Sequence, residues 1–266
     1  MENTEKITFK EMLSPKWYIE QTKGWMKESY ALILIAIIGN AYISFGMGHP
    51  VTWVTVATYI ASILSVWTIG GIANSRPVNG IGGITSAALY IVVALVAKNP
   101  ADAMLQGIYI ALLDIPVLMM PSWASNVDKK IRFIHETSLR GEKHSPKFWY
   151  TLVLIAAIAA FVGAYLIEVY VLHSPRPLVD SAVLGSGFAG AILTTLRFGE
   201  SAFMWFVQGA LQVVLWGQTA MMGDANWVLF FTYMLFMAND ILLVTKSKWA
   251  HHKKETQDIV NNLNKA

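Results

Sequence analysis

The fourth and the last apolar stretches of this chain end LLDIPVLMMPSW (112–123) and MANDILLVTKSKW (237–249). Each carries an Asp-Ile pair, Asp114-Ile115 and Asp240-Ile241, and each has a Trp nine positions after its Asp, Trp123 and Trp249. An Asp at the centre of a membrane-crossing helix costs roughly 3 kcal/mol on insertion scales, so two at matching places ask for a reason. A shift of 126 superposes both pairs and both Trp, and with them Thr68 on Thr194, Ser75 on Ser201, Gly83 on Gly209 and Leu89 on Leu215. Identities among the common residues barely exceed chance, so the weight rests on the rare Asp and Trp. The spacing predicts an internal duplication.

The surrounding composition says what was duplicated. The chain of 266 residues is 55% hydrophobic and 14% charged, whereas a soluble domain is about one quarter charged. It reads as an all-α polytopic membrane protein. Eight stretches reach the ~20 apolar residues that cross a bilayer core: 29–48, 51–73, 79–97, 102–121, 149–172, 178–197, 202–222 and 226–246. Strands of a membrane barrel would be half as long and would alternate. Short turns containing Pro, Gly and Asn join most spans, and the polar stretch 122–148 divides the chain. The expected plan is 3+1+3 with one extra span: 1–28 a cytoplasmic or interfacial segment, 29–48 the extra span, 49–121 the first three-helix unit, 122–148 a cytoplasmic loop, 149–172 a linking span, 173–246 the second unit and 247–266 a cytoplasmic tail. Three helices plus one is an even number, so both units enter the membrane in the same direction and are parallel repeats.

Of the 20 Lys and Arg, only Lys98 and Arg176 fall on one side of such a bilayer. The other 18 share the side of both termini, which the positive-inside rule makes cytoplasmic. The opposite loops carry Asp102, Asp180 and Asp224. A net charge of +3 argues for no nucleic acid, and with no Cys there is no disulfide or thiolate chemistry. No cleavable signal peptide is visible, because residues 1–28 lack an apolar core. Within LSPKWYIEQTKGWMKE (13–28), Ser14-Pro15 is a helix start, and Trp17, Tyr18 and Trp25 suit the membrane interface. A short interfacial helix is expected there, with a partly ordered tail as the alternative.

The strongest candidate site lies in the seventh span, WFVQGALQVVLWGQT. Gln208, Gln212, Trp216 and Thr219 each lie within about 60° of Trp205 on a 3.6-residue helix, a stripe alternating ring and amide. Lipid would not reward that face; a cavity would, and so would helix–helix hydrogen bonding. Under the 126 shift, Gln212 and Trp216 fall on Ser86 and Tyr90 of the third span. The fourth span adds Gln106, Tyr109 and Asp114, and the eighth adds Tyr233, Asn239 and Asp240. Pro116 removes a backbone hydrogen bond and frees a carbonyl. GSGFAG (185–190) lies inside a span with no strand before it, so it reads as close helix packing, not as a nucleotide loop. The six His lack metal-ligand spacing, no Ser has a His/Asp pair at membrane depth, and no nucleotide-hydrolysing motif is present. An enzyme has no support, and no cofactor is expected. Amides suit hydroxyls and a carboxamide, rings suit a flat cation, and carboxylates complement its charge. A small aromatic or cationic solute such as a nucleoside fits this chemistry, and passive transport is favoured over a channel-like pore.

The 3+1+3 plan, MLQGIY (104–109), WFVQGALQVVLW (205–216) and FMANDILLV (236–244) resemble the PnuC family of vitamin transporters over residues 51–250. The resemblance implies a fold similar to the SWEET sugar transporters and facilitated diffusion of nicotinamide riboside, a precursor of NAD, trapped by cytoplasmic phosphorylation. It implies a bacterial plasma membrane and a homo-oligomer, expected to be a trimer. Trp205, Gln106 and Asn239 stand where the family's shared Trp, Gln and Asn are expected. The family's Asn-x-x-Gly-x-x-Trp late in a unit is missing: Leu113-Asp114-Ile115-Pro116 and Asn239-Asp240-Ile241 stand there. Thiamine and riboflavin, carried by related transporters, stay open as alternatives.

Overall fold

The computed structural model describes residues 8–48, 50–124, 127–139, 142–174, 176–221 and 227–251. Eight long helices account for most of it: α1 (Lys27–Gly46), α2 (Trp53–Ala73), α3 (Asn79–Val96), α4 (Pro100–Met119), α5 (Pro146–Tyr170), α6 (Pro177–Thr195), α7 (Ser201–Met221) and α8 (Trp227–Thr245). Every boundary falls within three residues of its expected place. Seven of the eight are long and apolar enough to cross a membrane; α7, which carries the Gln and Trp stripe, is not among them.

Local chemistry explains the starts. Pro occupies the first turn of α4, α5 and α6, where its missing N–H costs nothing. Asn99 accepts from the Asp102 N–H at 3.3 Å and Ser145 from the Phe148 N–H at 3.3 Å; these caps satisfy orphan donors of the first turn. Within α4 the ladder changes over Ile110–Asp114 to a π-turn, and the Ile115 N–H bonds to the Ile110 carbonyl. Pro116 follows at once. The carbonyl four residues before it, that of Leu112, accepts from the Thr195 hydroxyl of α6, and the next, that of Leu113, accepts from Asn79 Nδ2 of α3 at 2.9 Å. The carbonyls around the proline thus tie α4 to its neighbours, which is how a broken helix is tolerated in lipid.

Six helices form a ring. In it α3 packs between α2 and α4, α4 meets α6, α7 packs between α6 and α8, and α8 returns to α2. α1 lies outside the ring against α2 and α8, and α5 lies outside it against α6. α5 is exposed along most of its length while more than half of α6 is buried. The ends of α2, α4, α6 and α8 and the segment Phe9–Gln21 share one face, called here the N-face.

Two indoles bind the ring together at the N-face. Trp123 Nε1 donates to the Thr195 carbonyl at the end of α6, and Trp249 Nε1 donates to the Ile72 carbonyl at the end of α2, both at 2.7 Å. The duplicated Trp therefore caps the other half's first helix, satisfying end-of-helix carbonyls that have no intrahelical partner. The polar stretch after α4 also docks: the Arg132 N–H bonds to the Arg197 carbonyl at 3.1 Å and the Gly199 N–H to the Arg132 carbonyl at 2.9 Å. It carries a two-residue antiparallel ladder, Ser138–Leu139 with Glu142–Lys143.

In the N-terminal segment a helix forms over Pro15–Gln21, capped by Ser14, and Trp17 and Trp25 are only 7% and 5% exposed. Both indoles are buried against protein. Met12 and Trp17 join Ala73, Val117, Ala202, Leu243 and Trp249 in one apolar cluster across the N-face.

Candidate functional site

Between the ring helices lies a cavity of about 800 Å³, its mouth included. Ten of the thirteen residues proposed from sequence line it: Ser86 and Tyr90 from α3, Gln106, Tyr109 and Asp114 from α4, Trp205 and Gln208 from α7, Tyr233, Asn239 and Asp240 from α8. Its lining holds two carboxylates and no Lys, Arg or His.

Each carboxylate sits against a glycine. A Cβ at Gly83 would overlap the Asp114 carboxylate, and one at Gly209 would overlap that of Asp240. These are the glycines and aspartates that the 126 shift superposes, so the two halves of the ring use one device. A helix carrying glycine lets the facing helix bring a short acid toward the axis. The partners differ. Asp114 Oδ1 accepts from Asn79 Nδ2 at 3.2 Å, whereas Asp240 has no hydrogen bond to any described residue. Under the shift Asn79 falls on Trp205, which explains the asymmetry: the second half has an indole where the first has an amide donor.

Trp205 is held by three contacts. Its Nε1 donates to Thr194 Oγ1 at 2.8 Å, its ring meets Tyr109 edge-on with centroids 5.5 Å apart, and its other face lies on Gly190, where a Cβ would come within 3.2 Å. The GSGFAG glycines therefore do pack closely, and two of them make room for cavity aromatics, Gly187 for Tyr109 and Gly190 for Trp205. Two cavity atoms are buried without a partner among the described residues, the Tyr109 hydroxyl and Asn239 Oδ1. A buried polar atom without a bond costs about 1–3 kcal/mol, and the Tyr109 hydroxyl carries that cost packed against Gly187 of α6. Asn239 Nδ2 reaches the Ile69 carbonyl at 3.4 Å, which aims its oxygen.

Gln212 and Trp216 do not line the cavity; both are fully buried behind it. Gln212 Nε2 donates to Asp102 Oδ1 at 3.1 Å. Trp216 stacks on Tyr233 with planes 10° apart and centroids at 5.8 Å, and the Tyr233 hydroxyl lies 3.4 Å from both Asp102 oxygens. The stripe on α7 is continuous in angle, but the cavity spans only part of its length. The upper part ties the ring together on the face opposite the N-face.

Asp102 and Asp180 need correction, since neither is an exposed loop acid. They occupy the first turns of α4 and α6 and are 1% and 3% exposed. Asp180 accepts from the Ser174 hydroxyl, and nearby Arg176 Nη1 donates to Thr219 Oγ1 at 2.7 Å. Each Asp follows a Pro at the start of a helix, where acids suit the macrodipole, and that spacing was the available signal. Asp224 lies outside the described residues. Sequence reasoning also missed Asn79, Ser65 and Thr68, which line the cavity; small polar residues in a span carry too little signal to single out.

A model of the family described as nicotinamide mononucleotide transporter matches residues 52–251. A relative from Neisseria mucosa, named nicotinamide riboside transporter PnuC, is 22% identical over 237 residues, covering 86% of this chain and 84% of that protein. A crystal structure of the vitamin B3 transporter PnuC superposes with a TM-score of 0.68 at 18% identity, over 86% of this chain and 94% of that one.

Proposed function

Because the chain belongs to the nicotinamide mononucleotide transporter family, we propose that its cavity carries nicotinamide riboside across the membrane by facilitated diffusion. One observation carries this reading: two carboxylates and no basic residue between aromatic walls. A pyridinium ring is a flat cation, attracted by ring faces and by carboxylates. The ribose hydroxyls and the carboxamide match Gln106, Gln208 and Asn239, whose amides donate and accept. A phosphate would meet no Lys, Arg or His in this lining.

Further parts of the reading follow from the same premise. The two three-helix sets, α2–α4 and α6–α8, act as parallel repeats that rock about the cavity, a reading supported by the matching Asp–Gly pairs. The N-face is cytoplasmic, supported by the excess of Lys and Arg there, in a bacterial plasma membrane. Phosphorylation in the cytoplasm traps the product, and the chain works as a homo-oligomer, expected to be a trimer.

Purified protein in liposomes tests the central claim. Uptake of labelled nicotinamide riboside is expected to saturate, to be competed by unlabelled substrate and to need no gradient. Dependence on a proton or sodium gradient would end the passive reading. Calorimetric binding of thiamine or riboflavin, with none of nicotinamide riboside, would reassign the substrate. Trp205→Ala is expected to weaken binding about 30-fold, the loss of a desolvated cation–π contact worth about 2 kcal/mol.

A further inference from the structure

The N-terminal segment is built as a separate body. Thr8 and Glu11 close a capping box over Phe9–Met12, and Ser14 caps Pro15–Gln21. Both short helices have their first turns capped from within the segment. Gly24 joins them to α1 at φ +74°, with nothing within 4 Å of where a Cβ would be. The turn is bridged by Tyr30, whose hydroxyl accepts from the Trp25 N–H at 3.2 Å and donates to the Thr22 carbonyl at 2.6 Å, so a swing about Gly24 begins by breaking these bonds.

Its position is central. Phe9–Met12 packs on the end of α4 beyond Asp114. Met12 is fully buried and Trp17 is 7% exposed, in a cluster with Val117 of α4, Ala202 of α7 and Leu243 of α8. Leu243 also lines the cavity, and Trp205, a cavity wall, packs against the same cluster. Tyr18 accepts from the Ile81 N–H at 3.0 Å at the start of α3. Burial raises its pKa above the ordinary phenol range despite that bond, and Asp114 adds to the rise.

The contact is made to part. The Trp17 indole N–H is buried without a partner among the described residues. The closed arrangement carries that desolvation cost and a withdrawn Trp17, hydrated, does not. Apart from the Tyr18–Ile81 and Thr22–Trp67 hydrogen bonds the rest of the contact is apolar, and among the described residues no ion pair holds it.

We propose that residues Phe9–Gln21 form the gate of the N-face: Met12 and Trp17 stopper the cavity, and the segment swings about Gly24 to release solute. This rests on the transport reading above, but its test needs no substrate. The chain has no Cys, so Ala87→Cys, on the cavity wall, gives a single reporter. In vesicles of known orientation, a membrane-impermeant thiol reagent applied from the N-face should label it slowly. Adding Met12→Ala and Trp17→Ala should speed labelling about tenfold, the shift that about 1.4 kcal/mol of lost closure produces, with no change from the opposite face. Equal rates from the N-face, or a rise from both faces, would overturn the gate. A second variant locks it. Met12→Cys with Val117→Cys, bridged by a short bis-methanethiosulfonate reagent while Ala87→Cys carries a photocleavable cage, should stop maleimide labelling of Ala87→Cys from the N-face after the cage is removed by light, and reductant should restore it. Labelling that continues at the unbridged rate would overturn the proposal. If the gate results fail while saturable uptake persists, the transport reading stands alone.

Discussion

The two ends of the helix ring are packed in opposite ways. At the N-face the packing is mostly apolar and partly borrowed from a segment outside the ring, with Met12 and Trp17 among Val117, Ala202 and Leu243. At the other end the ring closes on itself through polar contacts: Asp102 takes bonds from Gln212 and Tyr233, and Tyr233 stacks on Trp216. The difference is one of reversibility. Apolar surfaces can separate without stranding a charge, whereas each bond broken around Asp102 leaves a buried group unsatisfied. The first is suited to opening often, the second to holding helices α4, α7 and α8 in register.

Substitutions can break this contrast. The largest cost is expected for Asp102→Ala, which strands two buried donors and should lower stability by about 3 kcal/mol in thermal unfolding in detergent. A fall no larger than that of an exposed substitution would show the far end to be as loose as the near one. Gly83→Ala and Gly209→Ala should each cost about 2 kcal/mol by overpacking and should weaken ligand binding measured by calorimetry. Gly83→Ala should be the worse, because the displaced Asp114 also loses Asn79; equal losses would remove the asymmetry between the halves. Trp249→Phe should cost about 1 kcal/mol, one hydrogen bond to the end of α2. Trp17→Phe is expected to be the smallest effect, neutral or slightly stabilising, since its N–H has no bond to lose. A cost for Trp17→Phe equal to that of Trp249→Phe would mean that the N-face stopper is an ordinary part of the core.

Particular residues show where reading from sequence succeeds. The spans were legible because a bilayer imposes a length and an apolar composition on any helix that crosses it. LLDIP and ANDIL marked the duplication, and their Asp residues do face one cavity. The stripe on α7 was only half informative. Angle around a helix follows from the 3.6 period, but depth along it does not, so Gln212 and Trp216 were read as cavity residues although they are buried behind it. Asp102 and Asp180 misled for a related reason. A Pro and an acid at a helix start look the same whether the turn is wet or buried, and the ring decides which. An indole such as Trp17 suits the headgroup region, and its burial against Val117, Ala202 and Leu243 is a matter of tertiary packing that its own stretch of sequence does not carry.

By itself the sequence determined a helical membrane protein, its span boundaries, its sidedness bias and its duplicated acids, because each depends on local composition and spacing. The tertiary structure decided which acids meet the cavity, which of them find a donor, and what stoppers the N-face. Those outcomes depend on which helix stands opposite, and at what height: Gly83 opposite Asp114, Gly209 opposite Asp240, and Met12 beneath the ring.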